Sequence, residues 1–153
     1  MHCFYYATPH GSVTIGATAE GIELVAFGEI ALDETPRPTE LTNKAATQIQ
    51  EYFAGKRFAF DVPVHLSGSG FQNEVWRRVM KIPYGSTATA ADIARAIGRP
   101  SGQRSVGSAL SKNKIALLVP DHRVVSAVGK PWGQGVPARI RGGLLQMEKR
   151  NLE

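Results

Sequence analysis

Apolar and polar residues alternate in three short runs near the start of the chain, and glycine-containing turns separate the runs. This alternation, with its many β-branched and aromatic residues, predicts strands joined as a hairpin or small meander. Farther along, apolar residues recur at helical spacing from Thr39 to Ala54, and Gly55 marks the end of that helix. The first part of the chain is therefore predicted to be a small α/β unit. Its predicted strands are 3–8, 13–17 and 22–27.

A helical pattern returns after segment 65–70, which is rich in serine and glycine and is interpreted as a linker. Ser69, followed three residues later by Gln72, fits a capping box at the start of this helix. Two short helices come next, one over 89–97 and one over 101–111 with Ser101 as N-cap. Two helices across a tight glycine-containing turn are typical of a helix-turn-helix, although many small helical proteins contain such a corner.

The last part of the chain predicts a buried run, a turn and a final helix. The apolar run 115–119 ends at Pro120, so residues 121–123 are predicted to form a turn. The final helix is predicted to begin at Pro137. Two glycines at 142–143 lie in its middle, and each costs roughly 1 kcal/mol relative to alanine. This helix is therefore expected to be frayed or to be held only by tertiary contacts.

Composition limits the class of protein. A chain of 153 residues can form one compact unit or two small ones. One cysteine cannot form an internal disulfide, and together with four scattered histidines it lacks the spacing of a zinc site. We therefore expect no metal and no cofactor. No apolar run is long enough to span a membrane, and a secretion signal is not apparent. We expect a soluble, cytoplasmic monomer, associated with the nucleoid in a bacterium.

The charge is distributed unevenly along the chain. Residues 1–71 contain 4 Lys/Arg against 8 Asp/Glu, and residues 72–153 contain 14 against 5. The formal net charge of +5 therefore comes entirely from the second half. A basic half suits a polyanionic partner, because neutralising phosphates releases counterions. A solvated basic surface without a partner is the alternative.

Six motifs carry a resemblance to a known family. In chain order they are FQNEVW (71–76), IPYGST (82–87), IARAIGRP (93–100), RSVG (104–107), PDHRV (120–124) and LLQME (144–148). With these motifs the chain resembles the O6-alkylguanine-DNA alkyltransferase family over nearly its whole length. The resemblance implies an α+β protein, with a small N-terminal α/β, ribonuclease H-like domain at 1–66. A C-terminal winged helix-turn-helix DNA-binding domain would occupy 67–153.

The resemblance also implies a partner, double-stranded DNA, bound at its minor groove with one base flipped out of the stack. An arginine matching Arg104 would take the place of the flipped nucleotide. The small residues Ser105 and Gly107 would let this helix approach the groove closely, although they also suit helix packing. The resemblance further assigns DNA contacts to Thr89, Ala90 and Arg123, and a base pocket to Pro120, Val136 and Pro137.

Alkyl transfer in the family needs a cysteine thiolate, and Asp121 stands at that position here. The resemblance makes His122 the proton relay, Glu148 the residue that orients it, and Asn113 the brace of the turn. A carboxylate is a much weaker nucleophile toward carbon than a thiolate, and an ester product would be open to hydrolysis. Asp121 is therefore predicted not to accept alkyl groups, and nothing in the sequence brings Cys3 to the pocket.

Other departures from the family pattern favour natural divergence over a laboratory substitution at Asp121. The family's tyrosine that presses on the phosphate region of the flipped base falls at Ala90. The Gly-Gly-Leu of its pocket loop falls at 136–138, and the tryptophan of its final helix falls at Gly143. An ionised Asp121 would repel the acceptor atoms of an alkylated guanine, whereas a protonated carboxyl or an amine-bearing base would be accommodated. The other interpretation is that the carboxylate pairs with a neighbouring basic residue and blocks the pocket. The candidate partners are His122, Arg123 and any other basic residue nearby.

Three functions follow from these features. The first, which we predict, is a DNA-binding protein similar to the alkyltransferase-like proteins, which holds alkylated guanine for a repair-protein partner. The second is enzymatic, by alkyl transfer along another route or by hydrolysis with Asp121 and His122 acting on water. The third is a scaffold that has lost DNA binding. Arg104 and the basic second half favour the first.

Overall fold

The computed structural model describes all 153 residues, which form two compact units. The first unit consists of Met1–Ser67 together with Lys114–Leu118, and the second of Gly68–Asn113 and Val119–Glu153. The short segment Lys114–Leu118 groups with the first unit because it continues the sheet there. The amide of Val25 donates to the carbonyl of Lys114 at 2.9 Å, and the amide of Ala116 donates to the carbonyl of Val25 at 3.0 Å.

The N-terminal unit is a three-stranded antiparallel sheet covered by one helix. The strands β1 (His2–Thr8), β2 (Gly11–Thr18) and β3 (Gly21–Phe27) lie in the order β1-β2-β3, which confirms the predicted meander. The helix α1 (Glu40–Phe53) begins after the N-cap Thr39. It ends as predicted, since Gly55 has a positive φ of 75°. The core of this unit includes Ile15, Ile22, Ile49 and Tyr52.

The C-terminal unit is mainly helical, as predicted. Its strands β4 and β5 are two residues each and pair in parallel, which ties the start of the second helix of the unit to the turn at residues 121–123. None of the helices of the chain is both long enough and apolar enough to span a membrane. The elements are α2 (Gly70–Val79), β4 (Ala88–Thr89), α3 (Ala90–Ala96), α4 (Gln103–Ser111), a 3-10 turn (Asp121–Arg123), β5 (Val124–Val125) and α5 (Gly135–Asn151).

The first helix of this unit has the predicted cap. The Ser69 hydroxyl accepts from the amide of Gln72 at 3.1 Å, and the Gln72 side chain accepts from the amide of Ser69 at 3.0 Å. On its inner face Val75 and Val79 are fully buried. The indole of Trp76 donates to the carbonyl of Ala109 at 2.9 Å. Helix α2 thereby holds α4 in place.

Helix α4 differs from the prediction at its start. Ser101 was predicted as N-cap, but the cap is Gly102 and no side chain caps the helix. The reason is a tight turn before the helix, in which the amide of Gly102 donates to the carbonyl of Arg99 at 2.8 Å. Ser101 is thereby placed inside the turn rather than at the boundary.

Helix α5 begins two residues earlier than predicted. It begins at Gly135, with Gln134 as N-cap, so Pro137 is its third residue rather than its first. Proline is accommodated there because the first amides of a helix have no acceptor within it. Of the two outcomes predicted for 142–143, fraying or docking by tertiary contacts, the structure shows the second: the helix is continuous, and Leu144, Leu145 and Met147 are buried. Tertiary packing therefore compensates for the two glycines.

Candidate functional site around Asp121

A buried carboxylate organises this site. Glu148, on α5, is fully buried and accepts hydrogen bonds from several donors on other elements. Arg123 binds it twice, through Nε to Oε1 at 2.9 Å and through Nη2 to Oε2 at 3.0 Å. His122 Nε2 lies 2.6 Å from Oε2, and the amide of Gly85 donates to Oε1 at 2.9 Å. A buried charge is tolerated only when paired and hydrogen-bonded in this way.

The network places the turn that carries Asp121. Arg123 also donates from Nη1 to the carbonyl of Ile82 at 2.8 Å, so both ends of its guanidinium are held. Backbone hydrogen bonds close the turn, from the Asp121 amide to Val119 at 2.8 Å and from the Arg123 amide to Pro120 at 3.0 Å. These hydrogen bonds restrict the backbone at Asp121.

Asp121 is largely enclosed, with a side chain 13% exposed. Arg141 of α5 forms an ion pair with it, with Nε 4.0 Å from Oδ1. Burial raises the pKa of the Asp121 carboxyl, while the charge of Arg141, a hydrogen bond from Asn113 and the charge of His122 oppose the rise. Asn113 also donates from Nδ2 to the carbonyl of Val119 at 3.2 Å, which braces the turn. The pairing considered for Asp121 is thus made with Arg141, and Arg123 is committed to Glu148.

The sequence did not reveal the neighbours Trp132 and Arg141. The indole of Trp132 donates to the carbonyl of Asp121 at 2.8 Å. The guanidinium carbon of Arg141 lies 3.5 Å from the centre of the Trp132 ring, and Nη1 donates to the Trp132 carbonyl at 3.0 Å. Trp132 lies in an irregular loop and Arg141 in a helix with a weak apolar pattern, so neither spacing nor periodicity could have joined them.

The residues predicted to contact DNA lie in three places, which are α4, the start of α3 and the turn at 121–123. Arg104 and Ser105 are exposed in the first turn of α4, while Val106 faces the core. A Cβ added at Gly107 would meet no atom within 4 Å, so this side of α4 is open. The structure also places Thr89 and Ala90, both half-buried, at the start of α3.

The structure corrects one of the predicted DNA contacts. Arg123 is 7% exposed, and its guanidinium donates hydrogen bonds to Glu148 and to the carbonyl of Ile82. It therefore cannot reach a ligand at the surface without breaking the buried network. Among the residues predicted to line a base pocket, Pro120 is buried next to Asp121. Val136 and Pro137 are exposed in the first turn of α5.

The site can bind and orient polar groups, but it contains no thiol. Cys3 belongs to β1 of the N-terminal unit, where it is 8% exposed and burial raises the pKa of its thiol. No three His, Cys, Asp or Glu side chains of the chain come together in a way that could hold a metal ion. The chemistry at Asp121 therefore depends on one carboxyl, one guanidinium and the imidazole that Glu148 holds.

Comparison with known proteins gives consistent matches over both units. Residues 1–66 match the ribonuclease-like domain, and residues 70–150 the DNA-binding domain, of 6-O-methylguanine DNA methyltransferase. The methylated-DNA--protein-cysteine methyltransferase of Methanosarcina acetivorans is 38% identical over 153 residues, covering 97% of this chain and 98% of the relative. The protein of the same name from Mycobacterium tuberculosis is 43% identical over 115 residues, covering 75% of this chain and 69% of the relative.

A solved structure is similar in the same way. The crystal structure of Mycobacterium tuberculosis OGT in complex with DNA has a TM-score of 0.90 and 35% sequence identity. The similarity covers 99% of this chain and 94% of that one. The α+β fold with a small N-terminal sheet unit and a helical C-terminal unit is therefore shared.

Proposed function

Because this chain belongs to the 6-O-methylguanine DNA methyltransferase family, we propose that it binds DNA containing O6-alkylguanine and holds the lesion without accepting the alkyl group. The family places the chain among DNA-binding repair proteins. Holding a lesion without repairing it would mark the site for another repair protein.

One observation carries the second half of this proposal: the residue that the resemblance aligns with the acceptor is Asp121. The relatives are named protein-cysteine methyltransferases, so their acceptor is a cysteine. Here the one cysteine is Cys3, whose thiol is enclosed in the sheet of the N-terminal unit. A thiol that is buried with a raised pKa is a poor nucleophile, because the thiolate is the reactive form.

The environment of Asp121 weakens it further as a nucleophile. The ionised carboxylate is the more nucleophilic form, and burial disfavours it by raising the pKa of Asp121. When it is ionised, the charge of Arg141 at 4.0 Å stabilises the carboxylate and lowers its reactivity. Both protonation states are therefore less nucleophilic than a free carboxylate. The surrounding relay of His122 and Glu148 is retained without a thiol to serve.

The DNA-binding half of the proposal is supported by the surface of α4. Arg104 is exposed there, and the Gly107 side of the helix is open. The similar Mycobacterium tuberculosis protein was crystallised with DNA. We infer that the same face of this chain enters the minor groove and that Arg104 replaces a flipped nucleotide in the stack. The matches at 1–66 and 70–150 support domains at 1–66 and 67–153.

The proposal is tested by measuring binding and transfer separately. Duplexes with guanine or O6-methylguanine at one position are titrated with the protein at fixed salt, since affinity depends on ionic strength. We expect tighter binding to the methylated duplex. After incubation, intact mass spectrometry should show no added methyl group, and digestion of the DNA should recover all O6-methylguanine. The second readout also detects transfer followed by hydrolysis of an ester.

The matched variants are Asp121→Cys and Ser126→Cys. The first restores a thiol beside His122 and is expected to gain one methyl group, while the second places a cysteine at an exposed position and is expected to gain none. Equal affinity of the unchanged protein for both duplexes would overturn lesion recognition. Methylated protein, or loss of the lesion from the DNA, would overturn the absence of transfer.

A further inference from the structure

Arg141 is fixed in place, but Asp121 is not what fixes it. The guanidinium stacks on the Trp132 ring at 3.5 Å and donates Nη1 to the Trp132 carbonyl at 3.0 Å. The Nε atom faces Asp121 at 4.0 Å, which is longer than a hydrogen bond. Because its strongest contacts are to Trp132, its orientation does not depend on the carboxylate.

The chain around Arg141 is adapted to this orientation. A Cβ added to Gly133 would come within 2.7 Å of Nη1, and Gly133 has a positive φ of 82°. The positive φ favours glycine here, and any larger residue would also require the guanidinium to shift. Trp132 in turn is anchored to the turn by its indole, which donates to the carbonyl of Asp121 at 2.8 Å. Arg141, Trp132 and the turn form one rigid assembly.

The guanidinium is also partly enclosed, with a side chain 17% exposed. Burial lowers the pKa of Arg141 and Asp121 raises it, but an arginine stays protonated in proteins. A fixed cation in a partly enclosed place beside the acceptor position is a preorganised hydrogen-bond donor. If neutralisation of Asp121 were its only role, direct hydrogen bonds to the carboxylate would be the stronger arrangement.

We propose that Arg141 is a specificity-determining residue, which donates hydrogen bonds to the O6 and N7 edge of the flipped guanine. An alkylated guanine keeps acceptors at both atoms, and arginine is the side chain that most often reads this edge. Asp121 lies beside the guanidinium, with its Oδ1 4.0 Å from Nε. The inference rests on the proposed function, since it requires a guanine lesion to enter the site.

The test combines protein variants with base analogues. Three duplexes carry O6-methylguanine, O6-methyl-7-deazaguanine, which lacks the N7 acceptor, or 2-amino-6-ethylpurine, which has carbon in place of O6. The variant Arg141→Met removes the charge and the donors but keeps an unbranched apolar side chain in place of the aliphatic stem of the arginine. Arg139→Met is the matched control, because it removes the same charge from an exposed position on the same helix.

For the unchanged protein and for Arg139→Met, we expect at least one analogue to lower affinity about tenfold, as loss of a charge-assisted hydrogen bond would. For Arg141→Met the same analogue should bind as well as O6-methylguanine, because the donor is already gone. Arg141→Lys should restore part of the difference. Thermal unfolding of each variant checks that the fold is kept.

The two possible failures are distinguishable. If the unchanged protein binds guanine and O6-methylguanine duplexes equally, the proposed function fails. If it prefers the lesion but Arg141→Met remains as sensitive to the analogue as the unchanged protein, the inference alone fails. If Arg141 had only a structural role, Arg141→Met would lower the affinity for all three duplexes by the same factor. That result would also overturn the inference that Arg141 reads the base. Insensitivity of the unchanged protein to both analogues would do the same.

Discussion

Arg123 and Glu148 face each other in a bidentate pair, with two hydrogen bonds of 2.9 and 3.0 Å inside the C-terminal unit. The residues are 25 positions apart and come from the turn and from α5. The pair joins the turn at 121–123 to α5 and so restrains the position of the turn relative to that helix. It therefore determines where Asp121 and Arg141 lie relative to one another.

Replacing Glu148 with glutamine should destabilise the protein strongly. The change removes the carboxylate but leaves Arg123 buried and charged, and breaking a buried pair in this way costs roughly 3–5 kcal/mol. Urea unfolding followed by tryptophan fluorescence would measure the loss. Glu153→Gln is the control, because Glu153 is exposed at the end of the chain and its loss should change the free energy of unfolding by less than about 0.5 kcal/mol. A loss as small as that for Glu148→Gln would contradict the buried network.

Replacing Asp121 with asparagine should stabilise the protein at neutral pH. Burial raises the pKa of this carboxyl above its ordinary value of 3.8, so the folded state holds the proton more tightly than the unfolded state. Its contribution to the free energy of unfolding therefore falls as pH rises from about 3.8 through the folded pKa. The difference between Asp121→Asn and the unchanged protein should grow over this range and be smallest in acid.

Asp92 provides a control with the opposite sign. The pKa of Asp92 is lowered chiefly by the hydrogen bond from the backbone amide of Thr89, and next by a hydrogen bond with the Thr89 side chain. The stability that this carboxyl contributes is present above 3.8 and is lost as pH falls through its folded pKa. Asp92→Asn should therefore destabilise the protein near neutral pH. Unfolding free energies from pH 3 to 7 for all three proteins would test both signs, and parallel curves would refute the assignment.

Replacing Arg104 with alanine should weaken binding to the lesion more than binding to undamaged DNA. A side chain that enters the base stack contributes only when the base is flipped, whereas a phosphate contact contributes on any sequence. Lys112→Ala is the control. Lys112 is exposed at the other end of α4, and its replacement removes one positive charge, as Arg104→Ala does. We expect Lys112→Ala to change both affinities by a similar small factor. The ratio of the two dissociation constants, measured at one salt concentration, separates the outcomes.

Replacing Gly107 with alanine should raise stability and lower DNA affinity together. The added Cβ meets no atom within 4 Å, so the helix gains roughly 1 kcal/mol of propensity without a clash. On a face that approaches a groove closely, the same methyl group would hinder the approach. Gly143→Ala is the control, because its Cβ also meets open space, but on α5. It should raise the thermal midpoint and leave DNA affinity unchanged; a Gly107→Ala protein that binds normally would exclude close approach of α4.

The predictions that succeeded depend on local signals. Ser69 and Gln72 are three residues apart, so their reciprocal capping could be inferred from spacing alone. The three strands followed from alternation, and the end of α1 followed from Gly55. The start of α4 was misplaced because Ser101 is a good cap by composition, whereas a backbone turn from Arg99 to Gly102 set the boundary.

The residues of the site also divide into those predictable from local sequence and those placed together only by the tertiary structure. The turn at 121–123 and the importance of position 121 were apparent from contiguous sequence and from the family motifs, because both are properties of neighbouring residues. Three contacts of the site join residues that are distant or irregularly spaced in the sequence. They are the buried pair of Arg123 with Glu148, the ion pair of Asp121 with Arg141 and the stacking of Arg141 on Trp132. Neither hydrophobic periodicity nor residue propensity predicts such contacts. A buried arginine needs hydrogen-bond partners, and the tertiary packing decides which residues are close enough to supply them.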